Sequence, residues 1–116
     1  MKILIVDDED DLTFALKSTI EELGYEVESA DSGEEALEKF PHFNPSMIIT
    51  DRDMPGISGI ELAESLRQMR PDIKIILYTG NDDIKTTERK YFYRIFKKPA
   101  SSKELGEAIQ ELERRI

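Results

Sequence analysis

Lys2-Ile3-Leu4-Ile5-Val6 runs without interruption into Asp7-Asp8. A short, continuous run of branched aliphatics lacks the spacing of an amphipathic helix and the alternation of a half-exposed strand. It fits a strand covered on both faces of a parallel sheet. The abrupt change of polarity at Asp7 ends that strand and leaves two carboxylates at its carboxyl end. Working outward, comparable runs recur at Tyr25 to Ala30, Met47 to Thr50, Lys74 to Thr79 and Arg94 to Lys97, with no self-similarity of the solenoid kind. Five strands are predicted.

The intervening stretches carry apolar residues at three- and four-residue spacing, the mark of amphipathic helices. The first has Leu12, Ala15, Leu16, Ile20 and Leu23, closed by Gly24. The second opens on Ser32 with Glu35 three positions on, a capping box, and continues through Ala36, Leu37 and Phe40. Leu62, Ala63, Leu66 and Met69 precede Pro71 in the third, and the last starts at Ser101 and Glu104 and buries Leu105, Ala108, Ile109 and Leu112. Asn81 to Tyr93 holds β-branched threonines and three consecutive aromatics, which predicts an irregular or short fourth helix. Strands alternating with helices imply right-handed crossovers and an α/β fold. The expected architecture is a doubly wound five-stranded parallel sheet of order 2-1-3-4-5, the flavodoxin-like arrangement.

Composition narrows the chemistry. The 116 residues are 39% hydrophobic and 35% charged, which fits one domain with an ordinary core. The absence of cysteine excludes disulfides, thiolate metal sites and a cysteine nucleophile. No apolar stretch is long enough for a signal peptide or a membrane span, so a cytoplasmic protein without a membrane role is expected. Residues up to Ser58 hold 15 acids and 4 bases, and those from Gly59 onward 10 acids and 12 bases. The acidic half suits a cation site and not a nucleic-acid surface.

In a sheet of this kind ligands bind beyond the carboxyl ends of the strands. Those ends carry Asp7 and Asp8, Asp51, Thr79 and Lys98. Each has an ordinary explanation alone: an aspartate after a strand is often a cap or turn residue, and a lysine before proline is often a solvated loop charge. Together they gather at one edge. Two carboxylates 4 Å apart repel by roughly 4 kcal/mol at an effective dielectric near 20, so three of them require a cation. Oxygen ligands without histidine or cysteine select a hard ion, Mg²⁺ ahead of Ca²⁺, with Mn²⁺ as a substitute. His42, in a loop flanked by prolines, is taken as incidental. With a divalent ion and Lys98 offsetting charge, Asp51 could attack a phosphoryl group and form an acyl phosphate, to which Thr79 would donate its hydroxyl.

Taken in order, Ile3 to Asp8, Ile49-Thr50-Asp51 followed by Met54-Pro55 and Gly59, Thr79-Gly80 and Lys98-Pro99 resemble the receiver domain of two-component response regulators. The resemblance spans the whole chain, residues 1–116. It implies that Asp51 accepts a phosphoryl group from a sensor histidine kinase or phosphotransfer protein and that Asp8 and Asp51 ligate Mg²⁺ directly. Asp7 would help through water and Asp53 through its backbone carbonyl. It further implies that Thr79 and Lys98 contact the phosphoryl group, that the bond before Pro99 is cis, that Gly80 keeps the site open, and that Asp53 and Asn81 tune loss of the phosphate. The protein would catalyse only its own modification and signal to a downstream partner. No output domain follows in this chain, so it would act alone through protein contacts or be excised from a longer protein.

The family's aromatic switch position is occupied by Ile95, which argues against an aromatic flip coupled to Thr79 and leaves Tyr93 or Phe96 to contribute. The segment from Thr79 to Lys98 is short for the family, so the signalling face is expected to be unconventional. Lys85, Arg89, Lys90, Arg94, Lys97, Lys98 and Lys103 interleave with Tyr91, Phe92 and Tyr93, a mixture that can bind single strands. In an acidic domain a protein-docking or solvated face is the expectation, not nucleic acid. The rivals are a haloacid-dehalogenase-like phosphatase, from Asp51-Arg52-Asp53, a flavodoxin-type cofactor binder, which the acids of residues 7–11 and the missing glycine loop oppose, and a receiver-like scaffold that is never phosphorylated.

Overall fold

The computed structural model describes residues 1–81 and 83–115. Five strands, β1 (Lys2–Val6), β2 (Glu26–Ala30), β3 (Met47–Thr50), β4 (Lys74–Thr79) and β5 (Arg94–Lys97), form one parallel sheet of order β2-β1-β3-β4-β5. Helices α1 (Asp10–Glu22), α2 (Gly33–Phe43), α3 (Gly59–Met69), α4 (Thr86–Arg89) and α5 (Ser102–Arg115) connect and flank them. None of the described helices is long and apolar enough to cross a membrane.

Alternate residues of the central strands feed two cores. Leu4, Val6, Ile48, Ile75 and Leu77 pack against α2 and α3, while Ile3, Ile5, Met47, Ile49 and Ile76 pack against α1 and α5. Both faces are therefore covered, which is why these strands read as nearly continuous aliphatic runs. Leu105, Ala108, Ile109 and Leu112 all lie buried on α5 as expected. On α1 the buried residues are Thr13, Leu16 and Ile20, whereas Ala15 and Leu23 face solvent, so the stripe is rotated from the expected one.

The helix ends follow capping chemistry. Gly24, at φ +97, takes the left-handed conformation just past α1. Ser32 Oγ accepts from the Glu35 N–H at 3.1 Å, but Glu35 Oε1 accepts from the Asp31 N–H, so the expected reciprocal arm is displaced by one residue. The complete box sits at α3, where Ser58 and Glu61 satisfy each other's backbone N–H. Ser101 Oγ accepts from the Glu104 N–H before α5.

Two expectations are corrected. Tyr25 precedes β2, and its hydroxyl donates to Glu113 at 3.1 Å. His42 is not in a loop: Pro41 and His42 form the last turn of α2, which ends at Asn44 in the left-handed region with its N–H on the Phe40 carbonyl. Proline normally argues against a helix, but here it falls near the end, where few hydrogen bonds remain to lose.

The fourth helix is a single turn, in line with the unfavourable pattern of its sequence. Arg67 of α3 supports the chain beyond it. Its guanidinium donates to the carbonyls of Pro71, Ile73 and Tyr91, the last at 2.5 Å. Burial lowers its pKa.

Candidate functional site

The parallel ladder continues one residue past the strands and fixes the candidate side chains. The Asp7 N–H donates to Ala30 O at 3.1 Å, Asp51 N–H to Val6 O at 3.0 Å, and Lys98 N–H to Thr79 O at 2.8 Å. Residues distant in sequence thus share the sheet's carboxyl edge because hydrogen-bonded register, not loop conformation, places their backbones.

Asp7, Asp8 and Asp51 each bring a carboxylate oxygen within 4.8 Å of the others. Asp7 and Asp51 are buried and Asp8 is exposed. Lys98 Nζ donates to Asp7 Oδ2 at 2.7 Å and to Asp51 Oδ2 at 3.2 Å, with Glu9 Oε1 at 3.7 Å. The remaining oxygens are also held: Asp7 Oδ1 accepts from the Glu9 N–H at 2.9 Å and Asp51 Oδ1 from the Arg52 N–H at 2.7 Å.

Negative charge exceeds what one ammonium offsets. Burial raises the Asp7 pKa above its ordinary 3.8, and the opposing hydrogen bonds from Lys98 and the Glu9 N–H do not cancel it. For Lys98, burial pulls downward, but the hydrogen bond and charge of Asp7 with the charge of Asp51 outweigh it, so its pKa rises above 10.5. The Asp7 shift is chiefly the cost of burial, with the Asp51 charge a minor addition, whereas the Lys98 shift comes from its two carboxylate partners. Three carboxylates, no nitrogen or sulfur donor and partial exposure at Asp8 fit a hydrated hard dication.

Thr79, at 1% exposure, accepts the Asn81 N–H on Oγ1 at 3.2 Å. The Lys98–Pro99 bond is cis. Asp53 stands apart: its carboxylate is 66% exposed and pairs only loosely with Arg52 Nε at 4.0 Å, so any share in the cluster would fall to its main chain. Ile95 packs on the α2/α3 side with Tyr91, whereas Tyr93 and Phe96 belong to the α1/α5 core. The two aromatics expected to replace a switch residue therefore lie on the opposite face of the sheet from Ile95.

Several contributors were not singled out from the sequence. Gly59 stands in the sequence only as a motif letter, yet a Cβ there would overlap the Asp51 carbonyl oxygen, because α3 begins directly against that backbone. Glu9 and Tyr78 line Lys98, the Tyr78 ring centre at 5.6 Å from Nζ. Arg52 joins two loops through the Asp83 carbonyl. Its adjacency to Asp51 was the available signal. A groove of about 580 Å³ lies elsewhere, between β2 and α2, and gathers none of these residues.

Residues 3–110 match the family model described as the response regulator receiver domain. The chain belongs to that family. This receiver domain is 39% identical over 82 residues to the alkaline phosphatase synthesis transcriptional regulatory protein PhoP of Bacillus subtilis, covering 71% of this chain and 34% of that protein. It is 38% identical over 119 residues to the probable transcriptional regulator ycf27 of Cyanidium caldarium, covering 98% of this chain and 47% of that one. The receiver domain thus spans half or less of the length of these two relatives. Among solved structures, the response regulator TrrA of Thermotoga maritima, crystallised in complex with Mg²⁺-BeF, superposes with a TM-score of 0.90 at 38% identity, covering 96% of this receiver domain and 97% of that chain.

Proposed function

We propose that this receiver domain is a phosphoacceptor switch in which Asp51 takes a phosphoryl group from a histidine kinase or phosphotransfer protein in a Mg²⁺-dependent step, and a downstream protein reads the result. The observation that carries the proposal is the convergence of three carboxylates and Lys98 at one sheet edge, with Asp51 Oδ2 at 3.2 Å from the ammonium. The Mg²⁺-BeF complex of TrrA lends further support.

In the step proposed, an Asp51 carboxylate oxygen forms a bond to phosphorus as the P–N bond of the donor phosphohistidine breaks, and the imidazole leaves with the electron pair and takes up a proton. Asp7, Asp8, Asp51 and the Asp53 carbonyl would hold the ion, which when bound offsets charge on the phosphoryl oxygens; Mn²⁺ has the same oxygen preference. Lys98 then exchanges a carboxylate partner for a phosphoryl oxygen, and Thr79 donates its hydroxyl. The switch follows because these new contacts exist only in the phosphorylated state and so shift a two-state equilibrium.

Intact mass after incubation with a small acyl phosphate and Mg²⁺ tests this. One added phosphoryl group is expected in the wild type, and none in Asp51→Asn or in chelator. An unlabelled wild type would leave the scaffold reading, and multiple turnover of an added phosphate ester the phosphatase reading.

A further inference from the structure

Arg52 has no part in the chemistry above, yet it lies on a continuous path of hydrogen bonds between the two residues that must meet at a phosphoryl group. Its N–H donates to Asp51 Oδ1 at 2.7 Å, and its Nη1 donates to the carbonyl of Asp83 at 2.9 Å. The Asp83 N–H donates to Asn81 Oδ1 at 3.1 Å, and the Asn81 N–H to Thr79 Oγ1 at 3.2 Å. Among the described residues, the Arg52 guanidinium makes the one hydrogen bond that joins the loop after β3 to the loop after β4.

Among the described residues of the second loop, the Ile84 side chain is buried in the α2/α3 core, while Arg52 holds the main chain beside it at Asp83. Regular helix resumes only at Thr86 and lasts one turn. Thr79 accepts from Asn81, which leaves its own hydroxyl proton free to donate, and a donor aimed at developing charge is effective in proportion to how well its position is fixed in advance. The guanidinium keeps the loop's carbonyl in place at the distance of a charge-assisted bond.

We infer that Arg52 is a positioning residue, which fixes the β4–α4 loop through the Asp83 carbonyl so that Thr79 meets the phosphoryl group on Asp51 with its hydroxyl already oriented. The inference rests on the reading of Asp51 as acceptor and adds to it a residue outside the carboxylate cluster. Arg52→Met keeps the aliphatic stem and removes the donors, while Arg52→Lys restores one charged donor.

The experiment measures the rate of labelling by a small acyl phosphate in the wild type, Arg52→Met, Arg52→Lys, Thr79→Ala and the Arg52→Met/Thr79→Ala double variant, with Mg²⁺ and fluoroberyllate affinities by calorimetry. Arg52→Met should slow labelling by roughly tenfold, the effect of a lost charged hydrogen bond, and weaken fluoroberyllate binding while leaving Mg²⁺ affinity unchanged. Arg52→Lys should recover part of the rate. In the Thr79→Ala background the Arg52 substitution should cost almost nothing further, because the two act as one unit. A wild-type rate in Arg52→Met, or its full effect persisting without the Thr79 hydroxyl, overturns the inference. An unlabelled wild type would instead strike at Asp51 as acceptor. Amide exchange then decides separately: faster exchange at Asn81 and Asp83 in Arg52→Met is expected, and unchanged exchange refutes the bridge.

Discussion

Gly59 shows how tightly single residues are specified around Asp51. Its N–H donates to Arg52 O at 2.8 Å, and an added methyl group would meet backbone, which cannot rotate away as a side chain could. Gly59→Ala should therefore cost about 1–3 kcal/mol, the range for overpacking, and lower the labelling of Asp51, both read by urea denaturation and intact mass. Asp7 supplies a pH dependence. Because its folded pKa is raised, protons compete with a divalent ion in the window extending upward from 3.8, so apparent Mg²⁺ affinity should fall as pH is lowered into that window; calorimetry across acidic pH checks it. Lys98 has the alkaline counterpart: with a folded pKa above 10.5, its stabilising contribution is complete below that value and fades as pH rises through the raised one. The residue types and their convergence were legible, since Asp7, Asp8, Asp51, Thr79 and Lys98 each stand at a strand terminus. The grip of Arg52 on Asp83 was not, because a side chain's reach across two loops has no periodic signature.

At the scale of elements, strands β1, β3, β4 and β5 have the expected limits; in β1, β3 and β4 burial on both faces leaves a nearly unbroken aliphatic run to mark them, whereas β5, at the sheet edge, begins and ends on exposed Arg94 and Lys97. Helix faces were less legible. Thr13 replaces Ala15 among the buried positions of α1, since spacing alone does not fix which way a stripe of mixed small residues turns. The short α4 followed from its β-branched and aromatic content, and the segment after it is held by a tertiary contact of its Tyr91 carbonyl with Arg67, whose guanidinium also takes the carbonyls of Pro71 and Ile73 before β4. Removing them with Arg67→Met should destabilise the domain by about 1–3 kcal/mol and speed amide exchange from Lys85 to Tyr93 more than in the sheet. At α2, Ser32→Ala should cost about 1 kcal/mol by thermal or urea unfolding, the usual value of a lost N-cap.

For the whole molecule, the formal charge of −9 and the acidic first half make cations stabilising in two distinguishable ways. Sodium chloride screens general repulsion, whereas a divalent ion bound only by the native state adds RT ln(1 + [L]/Kd). Mg²⁺ should therefore raise the melting temperature more than sodium chloride of equal ionic strength, and the difference should vanish in Asp51→Asn/Asp8→Asn. The strand order was legible because alternation and crossover handedness leave few topologies. The contacts between helix and loop that tie one flank to the other were not. Helix α3 is the clearest of these: one foot rests without clearance on the peptide of Asp51, and near the other foot an arginine clasps the peptide of Tyr91. It is a strut lacking slack at both ends. The backbone at Asp51 and the peptide of Tyr91 are thereby tied to the two ends of one eleven-residue element, and Tyr91 and Ile95 both pack on that element's side of the sheet.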